Sequence, residues 1–380
     1  MNRITMETIQ GKLDDGERLD RDDAIWMLAE GPLLKLGETA GHQRFRRHPE
    51  PEVTFVVDTN PNYTNVCEVD CTFCAFYRSP GHDEAYTHSV EDVLDRIGKA
   101  VNQGATTVLL QGGVNESLPL DYYLDLVRGT RERYPGVTPH FWSAVEVEGM
   151  AKVSGLSIRD VLLRLNEAGQ DTLPGGGAEI LTDRIRRKVS HRKGGAAAWL
   201  DVHREAHRIG WKSTATMMYG HVEELEDVAD HLIHIRELQD EHGGFTAFVP
   251  WSFKPGNTPL VRKIPHYAGP NDYLRILAVS RLVLDNFDHI QASWFSEGKK
   301  AGQVGLHWGA DDFGGTLIEE NVHACTGFIN RTSTEEVKTL IREAGFAPVQ
   351  RDTRYRILRR FDANGSGDAE HGQQPVDGVA

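Results

Sequence analysis

The chain has 380 residues, 39% apolar and 26% charged, with a formal net charge of −14. That length suits an α/β barrel with helical additions folded as one unit, and the composition can bury a large core. An acidic balance without a basic stripe excludes nucleic acid and anionic membrane surfaces as partners and points to a small substrate.

Residues 1–50 read as a polar helical extension, with Ala24, Ile25, Leu28 and Ala29 on one side of a helix over 21–29. The acids between Asp14 and Asp23 replace the basic start and apolar run of a signal peptide, and no window reaches the ~18 apolar residues of a membrane span. A cytoplasmic enzyme is expected.

Thr54 to Asp58 forms the first β run. From Ser89, apolar Val90, Val93, Leu94, Ile97 and Val101 recur at helical spacing, with Gly104 as a stop. Thr106 to Leu110 is β-like, Leu120 to Arg133 helical, Pro139 to Ala144 a strand, and Ile158 to Ala168 a helix. Further strands are expected near Asp171 to Leu173 and at Lys212 to Met217, Thr246 to Trp251, Ile290 to Trp294 and Gly305 to Trp308. Helices are expected around the Val222 to Leu238 stripe, at Leu274 to Leu284 and at Glu335 to Glu343. About eight βα units predict a TIM-type (β/α)8 barrel over residues 51–330, with chemistry in the loops at the C-terminal strand ends. A helix and strand over 331–361 pack on it. Residues 362–380 almost lack large apolar side chains and read as a disordered tail.

Three of the four cysteines, Cys67, Cys71 and Cys74, fall within eight residues as C-x3-C-x2-C, in the loop after the first strand. Such clustering in a reducing compartment points to metal, not to disulfides. Cubane iron–sulfur clusters usually take four thiolates. With Cys325 read as an ordinary buried residue, one iron stays open to chelate S-adenosylmethionine (SAM). Spacing alone also admits zinc, with His82 or His88 as a fourth ligand, or a structural iron–sulfur site without catalysis. Phe73, directly before the third cysteine, favours the SAM-binding cluster.

Other motifs sit at strand ends. Gln111-Gly112-Gly113 closes one strand and suits either a βα turn or the amino group of SAM. Glu146, after Ser143, is either a partner for a ribose hydroxyl or substrate, or a solvated acid. Gly175, Gly176 and Gly177 offer backbone N–H groups to a nucleoside or carboxylate, without a P-loop ending. His221 follows the Lys212 strand as a structural residue or a proton carrier. Asp311 and Asp312, among glycines at the last strand end, either hold a polar substrate or start a helix.

Together the runs Asn62 to Arg78, Gln111 to Asn115, Leu173 to Leu181, Met217 to His221, Phe248 to Leu260 and Trp308 to Asn321 resemble the cyclic dehypoxanthinylfutalosine synthase family of radical SAM enzymes, over roughly residues 20–360. The resemblance implies a [4Fe–4S] cluster on Cys67, Cys71 and Cys74. Phe73, Phe76 and Tyr77 would pack around SAM, Gln111 to Gly113 would meet its methionine part, and Ser143 would join the cofactor site. A 5′-deoxyadenosyl radical would take the ribose C4′ hydrogen of dehypoxanthine futalosine, and the carbon radical would close onto the benzoate ring. His221, Glu146 and Glu179 are the candidates to remove the last proton. Arg78, the Gly175 to Gly177 amides and Asp312 are the candidate substrate contacts, and an electron donor such as flavodoxin or ferredoxin is implied. Aminofutalosine synthase is the nearest alternative; the deazaflavin-forming synthase is more distant.

Overall fold

The computed structural model describes residues 3–363 and 365, apart from Pro265. All but three residues of the expected disordered tail (Asp362, Ala363 and Gly365) lie outside the described residues. The strands are β1 (Glu52–Val56), β2 (Asp58–Thr59), β3 (Thr107–Leu110), β4 (Thr138–Phe141), β5 (Thr172–Leu173), β6 (Lys212–Tyr219), β7 (Phe245–Ser252), β8 (His289–Ile290), β9 (Asp312–Gly315), β10 (Ala347–Arg351) and β11 (Ile357–Arg360).

β1 and β2 are one run interrupted at Val57. Ladders join β2, β3 and β4 in parallel, then β5, β6, β7 and β8, and β9 pairs in parallel with β1. Two seams close the ring. Between β8 and β9, Asp311 N donates to Ile290 O at 3.1 Å and Ala292 N to Asp312 O at 2.7 Å. Between β4 and β5 side chains do this work, with Thr172 Oγ1 donating to Pro139 O and Gln170 Nε2 to Phe141 O. Counting β1 and β2 as one strand, the result is a closed eight-stranded parallel barrel. β10 pairs with the N-terminal half of β1 on the edge that passes to β3 further on, and β11 pairs antiparallel with β10.

Local sequence explains the helical shell. In helix Val90–Val101 the Ser89 side chain accepts from Asp92 N, and Asp92 accepts from Ser89 N; Val93, Leu94, Ile97 and Ala100 form its buried face. Such a cap contributes about 1 kcal/mol, and burial of the apolar face does the rest. Helices Met6–Asp14, Arg21–Ala29 and Leu33–Arg47 precede the barrel, the last against helix Pro270–Val283.

Three expected strands need correction. Residues 305–308 are not a strand: Lys299–Gly305 is helical and the strand follows at β9. The alternation of Val304, Leu306 and Trp308 imitates a β period. Glycine lets this helix approach its neighbours, since a Cβ at Gly302 would lie 2.7 Å from Trp294 Cβ. The strand expected at Ile290 to Trp294 is His289–Ile290 alone, because Trp294 begins a short helix. β4 stops at Phe141, where Trp142 turns to a φ of 59°.

Candidate active site

The cysteine loop leaves β2 and runs over the C-terminal end of β3. Asn62 and Asp70 take φ values of 39° and 48°, which Asn and Asp tolerate better than most residues. Asn62 Nδ2 donates to Gln111 O at 2.7 Å, and Cys67 N to Arg78 O at 2.9 Å. Arg78 Nη1 donates to the carbonyls of Ala75, Phe76 and Tyr77, and Nε to Glu84 at 2.7 Å. Arg78 therefore braces the loop and, contrary to expectation, is not a free partner for a substrate carboxylate.

Beneath the loop, glycine is obligatory. A Cβ on Gly113 would penetrate Val66 O, and one on Gly112 would lie 2.6 Å from Tyr63 Cε1. Glu146 locks this platform: its Oε1 accepts from Gly112 N (3.0 Å) and the Tyr63 phenol Oη (2.9 Å), and its Oε2 from Ser143 N (2.6 Å) and Ser143 Oγ (2.7 Å). Burial raises its carboxyl against these donors. With four donors on two buried oxygens, Glu146 is a positioning residue and not the proton acceptor proposed from sequence. Ser143 is the N-cap of helix Ala144–Ser154.

The thiols fit a cluster better than zinc. A tetrahedral zinc with bonds of about 2.3 Å brings sulfurs within about 3.8 Å. Among the described residues, the one group of three such ligand atoms all within 4.8 Å of one another is His48, His289 and Asp311, at the opposite end of the barrel. Arg281 is ion-paired to that Asp311, which makes it a charge network. Cys67 Sγ accepts from Val69 N (3.5 Å) and Val114 N (3.4 Å), donors that stabilise a thiolate and would tune a cluster bound there. Burial pushes the Cys71 thiol up to about 12, with Lys193 pulling it back. Cys325, expected to be buried, is exposed in the turn Ala324–Thr326.

Lys193 was not singled out from sequence. It ion-pairs with Glu179, both nearly buried, and its ammonium lies 5.0 Å from the Phe73 ring centroid. Burial opposes its charge, but Cys71 and Glu179 together hold its pKa above the usual lysine value. Glu179, held by this ion pair, is not a free base. The signal was present in the basic run from Arg184 to Lys193, most of which forms the short helix Asp183–Val189 just before Lys193. Phe76 is buried edge-on to Tyr86, and Tyr77 is half-buried near the thiols.

The barrel encloses a cavity of about 250 Å³ lined in part by Asp58, Gln111, His140, Gly176, Trp251 and Arg351. Gln111 carries it to the cysteine platform. Gly175 and Gly176 also line it, but as close-packing residues. Gly175 N already donates to Thr214 Oγ1 at 2.9 Å, Gly176 O accepts from Trp199 Nε1, and Gly177 O from Arg186. His140 is buried with Nδ1 unpartnered, and burial lowers its pKa to about 3, so the ring is neutral.

His221 and Asp312, like Glu146, Glu179 and Arg78, are not among the residues that line the cavity. His221 is buried, with Nε2 2.9 Å from Met218 O and Nδ1 accepting from Val222 N at 2.7 Å, beside Glu223. Both ring nitrogens are engaged, so the expected proton carrier is a turn lock. Asp312 is fully buried and accepts from Arg351 Nη2 (2.9 Å), Thr54 Oγ1 (2.6 Å) and Gly314 N (2.8 Å). Its carboxylate is taken up by these partners and positions Arg351.

Asp58 is, with Glu320, one of two lining carboxylates not singled out from sequence. Its Oδ1 accepts from Leu317 N at 2.7 Å. Burial raises its carboxyl from 3.8 to about 6, against the Leu317 amide and Arg351. Because the folded value is the higher one, the stability linked to this group is complete below about pH 4 and is lost as pH rises through about 6. Asp58→Asn keeps an acceptor for Leu317 and removes that dependence. Relative to the parent it is expected to gain up to about 3 kcal/mol between pH 4 and 7; denaturant melts across that range check it.

Comparison with known proteins agrees with this geometry. Residues 61–235 match the radical SAM superfamily, and residues 242–363 match the CofH/MqnC C-terminal region. The chain is 42% identical to a cyclic dehypoxanthine futalosine synthase of Halalkalibacterium halodurans, covering 94% of this chain and 96% of the relative. It is 40% identical to an aminodeoxyfutalosine synthase of Thermus thermophilus, covering 93% and 96%. It is likewise 40% identical to a 5-amino-6-(D-ribitylamino)uracil–L-tyrosine 4-hydroxyphenyl transferase of Methanopyrus kandleri, covering 95% and 98%. The crystal structure of the [FeFe]-hydrogenase maturase HydG shares the fold, with a TM-score of 0.71 at 16% identity over 91% of this chain and 76% of that one. Methylornithine synthase (PylB) does so with a TM-score of 0.67 at 17% identity, over 89% and 95%. With three thiols on a glycine platform at the mouth of a closed barrel, the chain belongs to the radical SAM superfamily, in the group with the CofH/MqnC C-terminal region, and its cofactors are a [4Fe–4S] cluster and SAM.

Proposed function

We propose that this chain is a cyclic dehypoxanthinylfutalosine synthase, a cytoplasmic enzyme of the futalosine route to menaquinone that takes its electron from a carrier protein. The observation that carries this reading is the 42% identity to the H. halodurans enzyme across nearly the whole of both chains, which spans cluster loop, barrel and C-terminal region alike. A Streptomyces coelicolor enzyme of the same name is 36% identical over 94% of the chain.

When bound, the cluster and SAM supply reductive cleavage to a carbon radical able to abstract hydrogen. The protein's own part is positioning. Cys67, Cys71 and Cys74 would hold the cluster, and the Gln111 to Gly113 platform, locked by Glu146, supports the loop that carries them. Val249, Trp251, Leu109 and Phe295 give the cavity apolar walls suited to an aromatic ring, and Gln111, Gln291 and Asn60 offer amides to sugar hydroxyls. The enclosing barrel excludes water from a reactive radical.

Aminodeoxyfutalosine synthase is the second reading, on the T. thermophilus relative. Anaerobic reconstitution with dithionite and SAM separates them. Loss of two hydrogens from dehypoxanthine futalosine, with matching 5′-deoxyadenosine, supports the cyclase. Untouched substrate with slow deoxyadenosine release removes that assignment and leaves the superfamily intact.

A further inference from the structure

The sequence reads as acidic without a basic stripe, but tertiary structure assembles a basic patch around the cluster loop. No acid occurs between Asp183 and Asp201, a segment with six Lys and Arg from Arg184 to Lys193. A second acid-free stretch, between Glu241 and Asp272, carries Lys254, Arg262 and Lys263.

Both segments are fastened to Thr72, between the second and third cysteines. Thr72 N donates to Val189 O at 2.9 Å, and Leu260 N donates to Thr72 O at 2.9 Å. Arg192 reaches over the loop to Glu68 O (3.0 Å) and lies 3.6 Å from Asp70, with His191 4.0 Å from the same carboxylate. Arg187, Lys188, His191, Arg192, Arg262 and Lys263 are all exposed. Lys188, Arg262 and Lys263 have no ion-pair partner among the described residues.

We infer that this patch is the docking surface for a small acidic one-electron carrier protein, which delivers its electron through the Thr72 segment to the cluster. The inference rests on the cluster reading above. Charge complementarity of this kind steers encounter and fixes register. A small globular acidic carrier can touch the patch alone. An extended polyanion such as nucleic acid would also meet the rest of a chain whose net charge is −14, and would be repelled by it.

The test uses the reconstituted holoenzyme, an acidic flavodoxin as probe, and the variant Lys188→Glu/Arg262→Glu/Lys263→Glu. Calorimetry is expected to show Kd rising about tenfold or more in the variant, and rising with salt in the parent as exposed charges are screened. The quotient of flavodoxin-driven to dithionite-driven deoxyadenosine formation should fall in parallel. An unchanged Kd, a salt-insensitive Kd, or displacement of flavodoxin by duplex DNA at physiological salt overturns the docking assignment. The function reading fails separately, by absence of deoxyadenosine with dithionite, an outcome that binding does not enter.

Discussion

Cys67→Ala, Cys71→Ala and Cys74→Ala are each expected to abolish deoxyadenosine formation and to lower bound iron, whereas Cys325→Ala should retain both. Loss of a hydrogen-bonding partner around a metal ligand typically costs 10–100-fold, so removing a ligand should exceed about 100-fold. The contrast with Cys325 is the informative arm. That residue is exposed in a short turn beyond β9, near enough to Arg78 of the cysteine loop to feel its charge. If Cys325→Ala lost iron as fully as the others, a fourth protein thiolate would occupy the iron that SAM needs. Iron content and the charge-transfer absorbance of the reconstituted variants decide it.

The second large effect is on stability. Asp312→Ala is expected to destabilise the fold by about 3–5 kcal/mol, the usual cost of leaving one member of a buried ion pair uncompensated. Asp312 and Arg351 are both buried in the barrel, and Arg351 stacks with its guanidinium carbon 3.8 Å from the Tyr355 ring centroid. Burial opposes the charge of Arg351, but the Asp312 carboxylate beside it holds its pKa above the ordinary arginine value. Removing that carboxylate also strands Thr54 Oγ1 and Gly314 N. Denaturant unfolding measures the loss. A change under about 1 kcal/mol would mean that the guanidinium finds water or another carboxylate, and that the pair does not hold β9 to β10.

The features that the sequence makes legible and those it hides divide along a physical line. Cys67, Cys71 and Cys74 were legible because their chemistry depends on spacing along one short loop. Helix Leu120–Arg133 and helix Ile158–Ala168 were legible because a face at a period of 3.6 is a local property. The alternation of βα units was legible for the same reason, and with it the barrel.

Roles set by distant partners were not. Glu146 is a carboxylate at a strand end, which suits a base or a ligand equally until Gly112, Tyr63 and Ser143 are seen on its two oxygens. Arg78 follows the cysteines and looks free until three carbonyls of its own loop close on it. Asp58 lies in an unremarkable β run, and only closure of the ring, with Leu317 and Arg351 beside it, gives it a cavity and a raised pKa. The basic surface is the same case: residues some 70 positions apart become one patch because both backbones bond to Thr72. Sequence determined the spacing of the three clustered thiols and the periodic scaffold beneath them. Tertiary structure decided which polar side chains brace that scaffold and which face the cavity, because a hydrogen bond between segments far apart in the chain leaves no period in the sequence.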